Sequence, residues 1–189
     1  VYLMADGQKY TDINGKEVSL TLSAADEWKG TFVGLPKYAP DGSEMQYDIS
    51  ETIVPCYLPA QISRDGNGGF VLLNELEKVD IQVTKEWIDR DNYFEPRPDS
   101  ITLQLYADGE MFHLAGYPNS ITLTEAGNWQ GTLTDMPKYT QGVEIGYTVK
   151  ENDVPIGYEL EGVEQVGNTE FVVTNVQKLK DISVTKEWK

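Results

Sequence analysis

Ile81-Gln82-Val83-Thr84-Lys85-Glu86-Trp87 returns almost unchanged as Ile182-Ser183-Val184-Thr185-Lys186-Glu187-Trp188. The stretch between the two copies repeats what precedes the first. Ala5-Asp6-Gly7 matches Ala107-Asp108-Gly109, Trp28-Lys29-Gly30-Thr31 matches Trp129-Gln130-Gly131-Thr132, and Pro36-Lys37-Tyr38 matches Pro137-Lys138-Tyr139. Tyr47 to Glu51 then matches Tyr147 to Glu151, Val54-Pro55 matches Val154-Pro155, and Phe70 to Asn74 matches Phe171 to Asn175. Self-similarity at one fixed spacing marks stacked structural repeats. No copy of Ile81–Trp87 precedes the first repeat. The expected layout is a module lacking its first strand over residues 1–77, a complete module over 78–177, and the first strand of a following module over 178–189. The absence of a charged-then-apolar leader before Val1 adds the expectation of a fragment cut out of phase with its modules.

Inside each repeat, apolar residues alternate over short runs, as in Ile101, Leu103, Leu105 and in Val143, Ile145, Tyr147, Val149. That is the period of half-buried strands. Asp6-Gly7, Asn14-Gly15, Asp41-Gly42, Asp108-Gly109 and Ala126-Gly127 punctuate the runs at the spacing of an all-β sandwich. Only short connectors, around Glu75 to Lys78 and Val176 to Lys180, separate the modules, which favours a stiff rod over flexibly strung beads.

Lys and Arg number 15 against 31 Asp and Glu, a formal charge of -16. Such a surface repels nucleic-acid phosphates and anionic membranes, so neither is an expected partner. Eleven Tyr and four Trp supply apolar area for real cores and argue against an acidic disordered tail. No apolar run is long enough to span a bilayer. Cys56 is the lone cysteine and His113 the lone histidine, which removes the commonest metal and catalytic constellations, and no cofactor is expected. Asp89, Asp91 and Asn92 lack the full spacing of an EF-hand loop. Nothing fixes two carboxyl groups across a cleft for hydrolysis.

Strand parity isolates three polar residues on apolar faces. Lys85 shares a face with Ile81, Val83 and Trp87; Glu151 follows Tyr147 and Val149 in register; Asn175 follows Phe171 and Val173. The first repeat offers Glu51 and Asn74 in the same way, and Lys186 repeats Lys85. Each alone reads as a strand-end residue whose stem covers apolar surface while its head reaches water. Recurrence of all three, in order, favours a functional reading, because local conflicts with burial concentrate at functional sites. Burial disfavours charge on amine and acid alike, so the two can meet as neutral groups, although their attraction favours the ion pair. The Lys85 amine would attack the Asn175 carboxamide and expel ammonia, with Glu151 polarising the carbonyl and relaying the proton. This acts once per molecule, so no enzyme turnover is expected.

At these residues the sequence resembles the B-type repeats of Gram-positive collagen adhesins, the Cna B-type domains, which also occur in pilin subunits. The carriers are Val83-Thr84-Lys85-Glu86-Trp87, Arg97-Pro98, Leu105-Tyr106-Ala107-Asp108-Gly109, Trp129, Pro137-Lys138-Tyr139, Tyr147 to Glu151, Gly157-Tyr158 and Val173-Thr174-Asn175. The resemblance implies tandem immunoglobulin-like β-sandwich modules on an extracellular, cell-wall-anchored protein. It further implies a bond from a first-strand Lys to a last-strand Asn with a catalytic Glu between, matching Lys85, Asn175 and Glu151. In the first repeat it implies the same roles for Glu51 and Asn74, with Lys186 belonging to the next module.

Two readings of the role follow. One is a stalk or spacer whose partners are neighbouring modules of the same chain; a covalent tie between first and last strands resists opening and needs no oxidising compartment. The alternative is a ligand-binding adhesin module or pilin domain that grips a host protein or carbohydrate through the loop Asp89 to Asp99, with Tyr93 and Phe94. The spare strand adds a further expectation. It can complete another molecule's first module by strand addition, giving head-to-tail filaments and a Lys186–Asn74 bond between molecules.

Overall fold

The computed structural model describes residues 1–93 and 97–189 and divides into two compact units, Val1–Glu77 and Lys78–Lys189. Phe94, Glu95 and Pro96, which include an aromatic residue of the candidate ligand loop, lie outside the described residues.

The first unit carries strands β1 (Tyr2–Ala5), β2 (Gln8–Lys9), β3 (Tyr47–Ser50), β4 (Gln61–Arg64) and β5 (Phe70–Leu73). The second carries β6 (Lys78–Ile88), β7 (Ser100–Ala107), β8 (Glu110–Met111), β9 (Ser120–Thr124), β10 (Gln130–Pro137), β11 (Tyr139–Thr140), β12 (Val143–Glu144), β13 (Tyr147–Lys150), β14 (Tyr158–Gln165) and β15 (Glu170–Gln177).

In the second unit one sheet runs β10-β6-β15-β14 and the facing one β13-β7-β8, with β9 also paired to β7. All pairings in these sheets are antiparallel except β6 with β15, the first and last strands, which run parallel side by side. Alternate residues of the two sheets meet between them, Ile81 and Val83 from β6 and Phe171 and Val173 from β15 against Leu103, Leu105, Leu123 and Val149. This is the two-layer sandwich that period-two patterning requires. The Asp-Gly hairpins form as the residues demand: Asp6 and Gly7, like Asp108 and Gly109, both take positive φ, the pairing of a two-residue turn matched to strand twist.

The run Val143, Ile145, Tyr147, Val149 is not one strand. It breaks into β12 and β13, and Val143 is exposed, because β12 pairs with β11 in a small separate ribbon before the chain joins β7.

The first unit has the same strand order but less of it. Leu3 and Ile49 are its only buried hydrophobic residues among those described. Its sheets are β2-β1-β3 and β4-β5, and the residues matching β10, from Lys29 to Pro36, form no strand. In the second unit, among the described residues, the sole strand paired with β10 is β6.

Candidate functional site: a buried Lys-Glu-Asn cluster

Lys85 points inward because it holds the core parity of β6, where its backbone N–H donates to Trp129 O at 2.8 Å. The parallel register sets Lys85 beside Val173 and Trp87 beside Asn175, so Lys85 and Asn175 lie on adjacent strands and the same face. Glu151 comes from the facing sheet, at the first position after β13. Lys85 Nζ stands 3.2 Å from Glu151 Oε2, with both side chains fully enclosed. Asn175 Nδ2 donates to Glu151 Oε1 at 3.0 Å. The trio read from the sequence is therefore assembled.

Its polar satisfaction is incomplete. Lys85 Nζ, Glu151 Oε2 and Asn175 Oδ1 are buried without a hydrogen-bond partner; the amine and carboxylate are at ion-pair distance but outside hydrogen-bond geometry. Unsatisfied buried groups are costly, and three of them converge here. Burial pushes the Lys85 amine down to about 8, against the opposing pull of Glu151.

An aromatic wall closes the cluster. Trp87 meets Trp129 edge-on at 5.0 Å and Tyr158 at 4.8 Å between ring centroids, and Lys85 Nζ lies 4.7 Å from the Trp87 ring centre. Asp89 continues the parity of Lys85 and Trp87 just beyond the strand. Its carboxylate takes a two-pronged contact from Arg97, with Nε and Nη2 both at 2.7 Å, and accepts from Tyr158 Oη at 3.0 Å and the Asn92 N–H at 3.1 Å. Arg97 above all holds the Asp89 carboxyl down at about 2. Asp89 enters the sequence reading only in an incomplete EF-hand set for calcium and as the start of the candidate ligand loop, while Arg97 and Tyr158 stand among the residues of the resemblance. Parity from Lys85 through Trp87 to Asp89 is the signal that points to the first of them. The carboxylate considered for calcium is thus occupied by Arg97, Tyr158 and a backbone amide.

In the first unit Asn74 Nδ2 donates to Glu51 at 2.6 Å, the counterpart of the Asn175–Glu151 pair. Trp28, the counterpart of Trp129, is 68% exposed against 6%. Lys186 lies in the strand-free segment after Gln177, with its Nζ 3.5 Å over the Trp188 ring.

The Cna protein B-type domain model matches residues 1–75 and again residues 81–176. The chain belongs to this family. Its Cna B-type repeats are 29% identical over 159 residues to a collagen adhesin of Staphylococcus aureus, a match covering 79% of this chain and 13% of that protein. The chain thus spans only a small part of that relative's length. A crystal structure of a single B repeat unit of the collagen-binding surface protein of the same organism is 27% identical, covers 94% of this chain and 86% of that one, and gives a TM-score of 0.48. The pilus adhesin SpaC of Lactobacillus rhamnosus GG aligns over 60% of this chain and 14% of its own, at 17% identity and a TM-score of 0.41. The all-β sandwich expected from the sequence is the fold of this Cna B-type tandem.

Proposed function

We propose that this chain is a structural spacer of an extracellular, cell-wall-anchored adhesin of a Gram-positive bacterium, and that its second Cna B-type module is locked by an amide between Lys85 and Asn175. The observation that carries this reading is the enclosed cluster of an amine, a carboxyl and a carboxamide with unsatisfied polar atoms on all three.

The chemistry is a condensation. With the proton held by Glu151, the neutral Lys85 Nζ attacks Cγ of Asn175, the Nζ–Cγ bond forms, the Cγ–Nδ2 bond breaks, and the amide nitrogen leaves as ammonia with protons passed from the amine through Glu151. The carboxamide turns either end toward Glu151 by a half-rotation that exchanges Nδ2 and Oδ1. In the reactive orientation protonated Glu151 donates to the carbonyl oxygen, where negative charge develops. The aromatic wall keeps water from solvating the amine.

Parallel β6 and β15 put the entry and exit of the module at opposite ends of neighbouring strands. Tension between the ends loads these two strands in shear, and a Lys85–Asn175 amide carries that load covalently. The alternative, capture of a host ligand by the loop Asp89 to Asp99, gains less support. Asp89 and Arg97 spend their charges on each other and on closing the cluster.

The test is intact-mass measurement of the denatured chain beside Lys85→Ala and Glu151→Ala. The expected result is a deficit of one ammonia in the parent, absent from both variants. A full, uncondensed parent mass would leave an ordinary sandwich spacer.

A further inference from the structure

The chain holds two Asn-Gly steps, Asn14-Gly15 and Asn67-Gly68, and both lie in exposed turns. A glycine after asparagine leaves its backbone nitrogen unshielded by any side chain, and that nitrogen can attack the asparagine Cγ to close a succinimide ring. How readily it does so depends on where the glycine N–H is already committed.

The two steps differ in that respect. Gly15 N–H donates to Asp12 O at 2.9 Å, while Asp12 Oδ1 takes the N–H groups of Asn14 at 2.8 Å and Lys16 at 2.9 Å, so the amides from Asn14 to Lys16 are all tied down. In the turn between β4 and β5, Asp65 Oδ1 takes the N–H of Asn67 at 2.8 Å and that of Gly69 at 2.9 Å. The Gly68 N–H between them makes no hydrogen bond to any of the described residues. Apart from its chain neighbours, nothing lies within 4 Å of the place a Gly68 Cβ would occupy. Asn67 is itself exposed. The matching turn of the second module reads Gly167-Asn168-Thr169-Glu170 where the first reads Gly66-Asn67-Gly68-Gly69. There Thr169 sets a β-branched side chain beside the nitrogen that would attack.

We propose that Asn67 is a site of spontaneous, time-dependent modification, so that the first module carries a mark of its age that the second does not. The Gly68 nitrogen gives its proton to solvent and bonds to Asn67 Cγ, the Cγ–Nδ2 bond breaks, and the amide nitrogen takes up a proton and leaves as ammonia. Water then opens the succinimide. Attack at Cγ leaves an aspartyl peptide; attack at the main-chain carbonyl leaves an isoaspartyl one, in which the chain runs through Cγ and gains a backbone carbon. Either product sets a second carboxylate in the turn that already holds Asp65, and like charges repel. The isoaspartyl form also lengthens a turn whose amides are gathered by a single Asp65 oxygen. The β4–β5 hairpin is therefore looser in older molecules. This chemistry is independent of the Lys85–Asn175 reading but touches its test. A standing succinimide also lacks one ammonia, yet it persists in Lys85→Ala and Glu151→Ala.

The experiment incubates the full chain at mildly alkaline pH, native and in urea, and follows the peptides of Asn14, Asn67 and Asn168 by mass spectrometry that separates aspartyl from isoaspartyl forms. In the native chain Asn67 should convert first, Asn14 should lag, and Asn168 should stay unchanged. In urea Gly15 is released from Asp12, and Asn14 should catch up with Asn67. Three results would overturn the proposal: native Asn14 converting as fast as Asn67, native Asn67 staying intact while Asn14 converts in urea, or a lead of Asn67 that persists undiminished in urea. The last would assign the difference to sequence neighbours and not to the free Gly68 amide.

Discussion

Asp89 sits two residues beyond Trp87 on the face of Lys85, and Arg97 grips both of its carboxylate oxygens at 2.7 Å. The clamp holds the Arg97 guanidinium beside Trp87, 5.7 Å from its ring centre. Tyr158, almost wholly buried, gives its hydroxyl to the same carboxylate.

This clamp predicts an acid-sensitive share of stability. The Asp89 carboxyl is held at about 2, below its ordinary value near 4, so the folded state binds fewer protons than the unfolded state between those pH values. The contribution is full above pH ~4 and fades as pH falls toward ~2. Asp89→Asn should cost about 2–3 kcal/mol at neutral pH, and the gap from the parent should close near pH 2. Urea unfolding across that range checks it; a gap independent of pH would contradict it.

Lys85 predicts a slope of the same sign at alkaline pH, visible where the amine cannot condense. In Asn175→Ala the buried amine, lowered to about 8, sheds its proton before the unfolded chain does near pH ~10.4. The unfolded state then holds more protons, and stability rises with pH from about 8 upward, by up to roughly 3 kcal/mol. Tyr147, pushed up to about 12 by burial, works against this above pH ~10, so the readable window is pH 8 to 10. Adding Lys85→Met to Asn175→Ala should flatten the rise. An equal rise in both would mean another group is responsible.

Cross-linking Lys85 to Asn175 closes a loop of roughly ninety residues, for which loss of unfolded-state entropy is worth about 4–5 kcal/mol. Lys85→Met removes the amine that the proposed bond needs while keeping side-chain bulk. Its second module should therefore melt well below the parent, by on the order of 20 °C for a unit of this size. Calorimetry decides this, and matching melting temperatures would show that no bond contributes.

The Trp-x-Gly repeat predicts an asymmetry between the modules. A Cβ on Gly131 would fall 2.8 Å from Ile121 Cδ1 and Leu123 Cδ2, inside a closed core. Gly131→Val should cost about 1–3 kcal/mol through overpacking. On Gly30 the Cβ meets Leu22 Cδ2 at 2.9 Å, but Leu22 lines an open groove and has somewhere to go. Gly30→Val should cost less, as followed by thermal unfolding of the two variants.

Much of this site is legible in the order of the residues. Alternation assigns Lys85, Glu151 and Asn175 to apolar faces, since a strand has only two faces and parity chooses between them. The same logic fails at Val143, because periodicity does not say whether a run stays in one ladder, and the β11–β12 ribbon intervenes. It is also silent on the clamp, because Arg97 meets Asp89 through loop closure, which has no period to read.

That this chain is a tandem of β-sandwich modules, that Ile81–Trp87 has a second copy at 182–188, and which side chains of β6, β13 and β15 lie inward all follow from repeats and period-two patterning, which are properties of the chain alone. Two further facts belong to the folded molecule. β6 and β15 lie side by side in parallel, and Glu151 crosses from the facing sheet to reach both Lys85 and Asn175. Those depend on which edges pair and which faces meet, and pairing is settled by the whole fold closing at once rather than by any local run of residues.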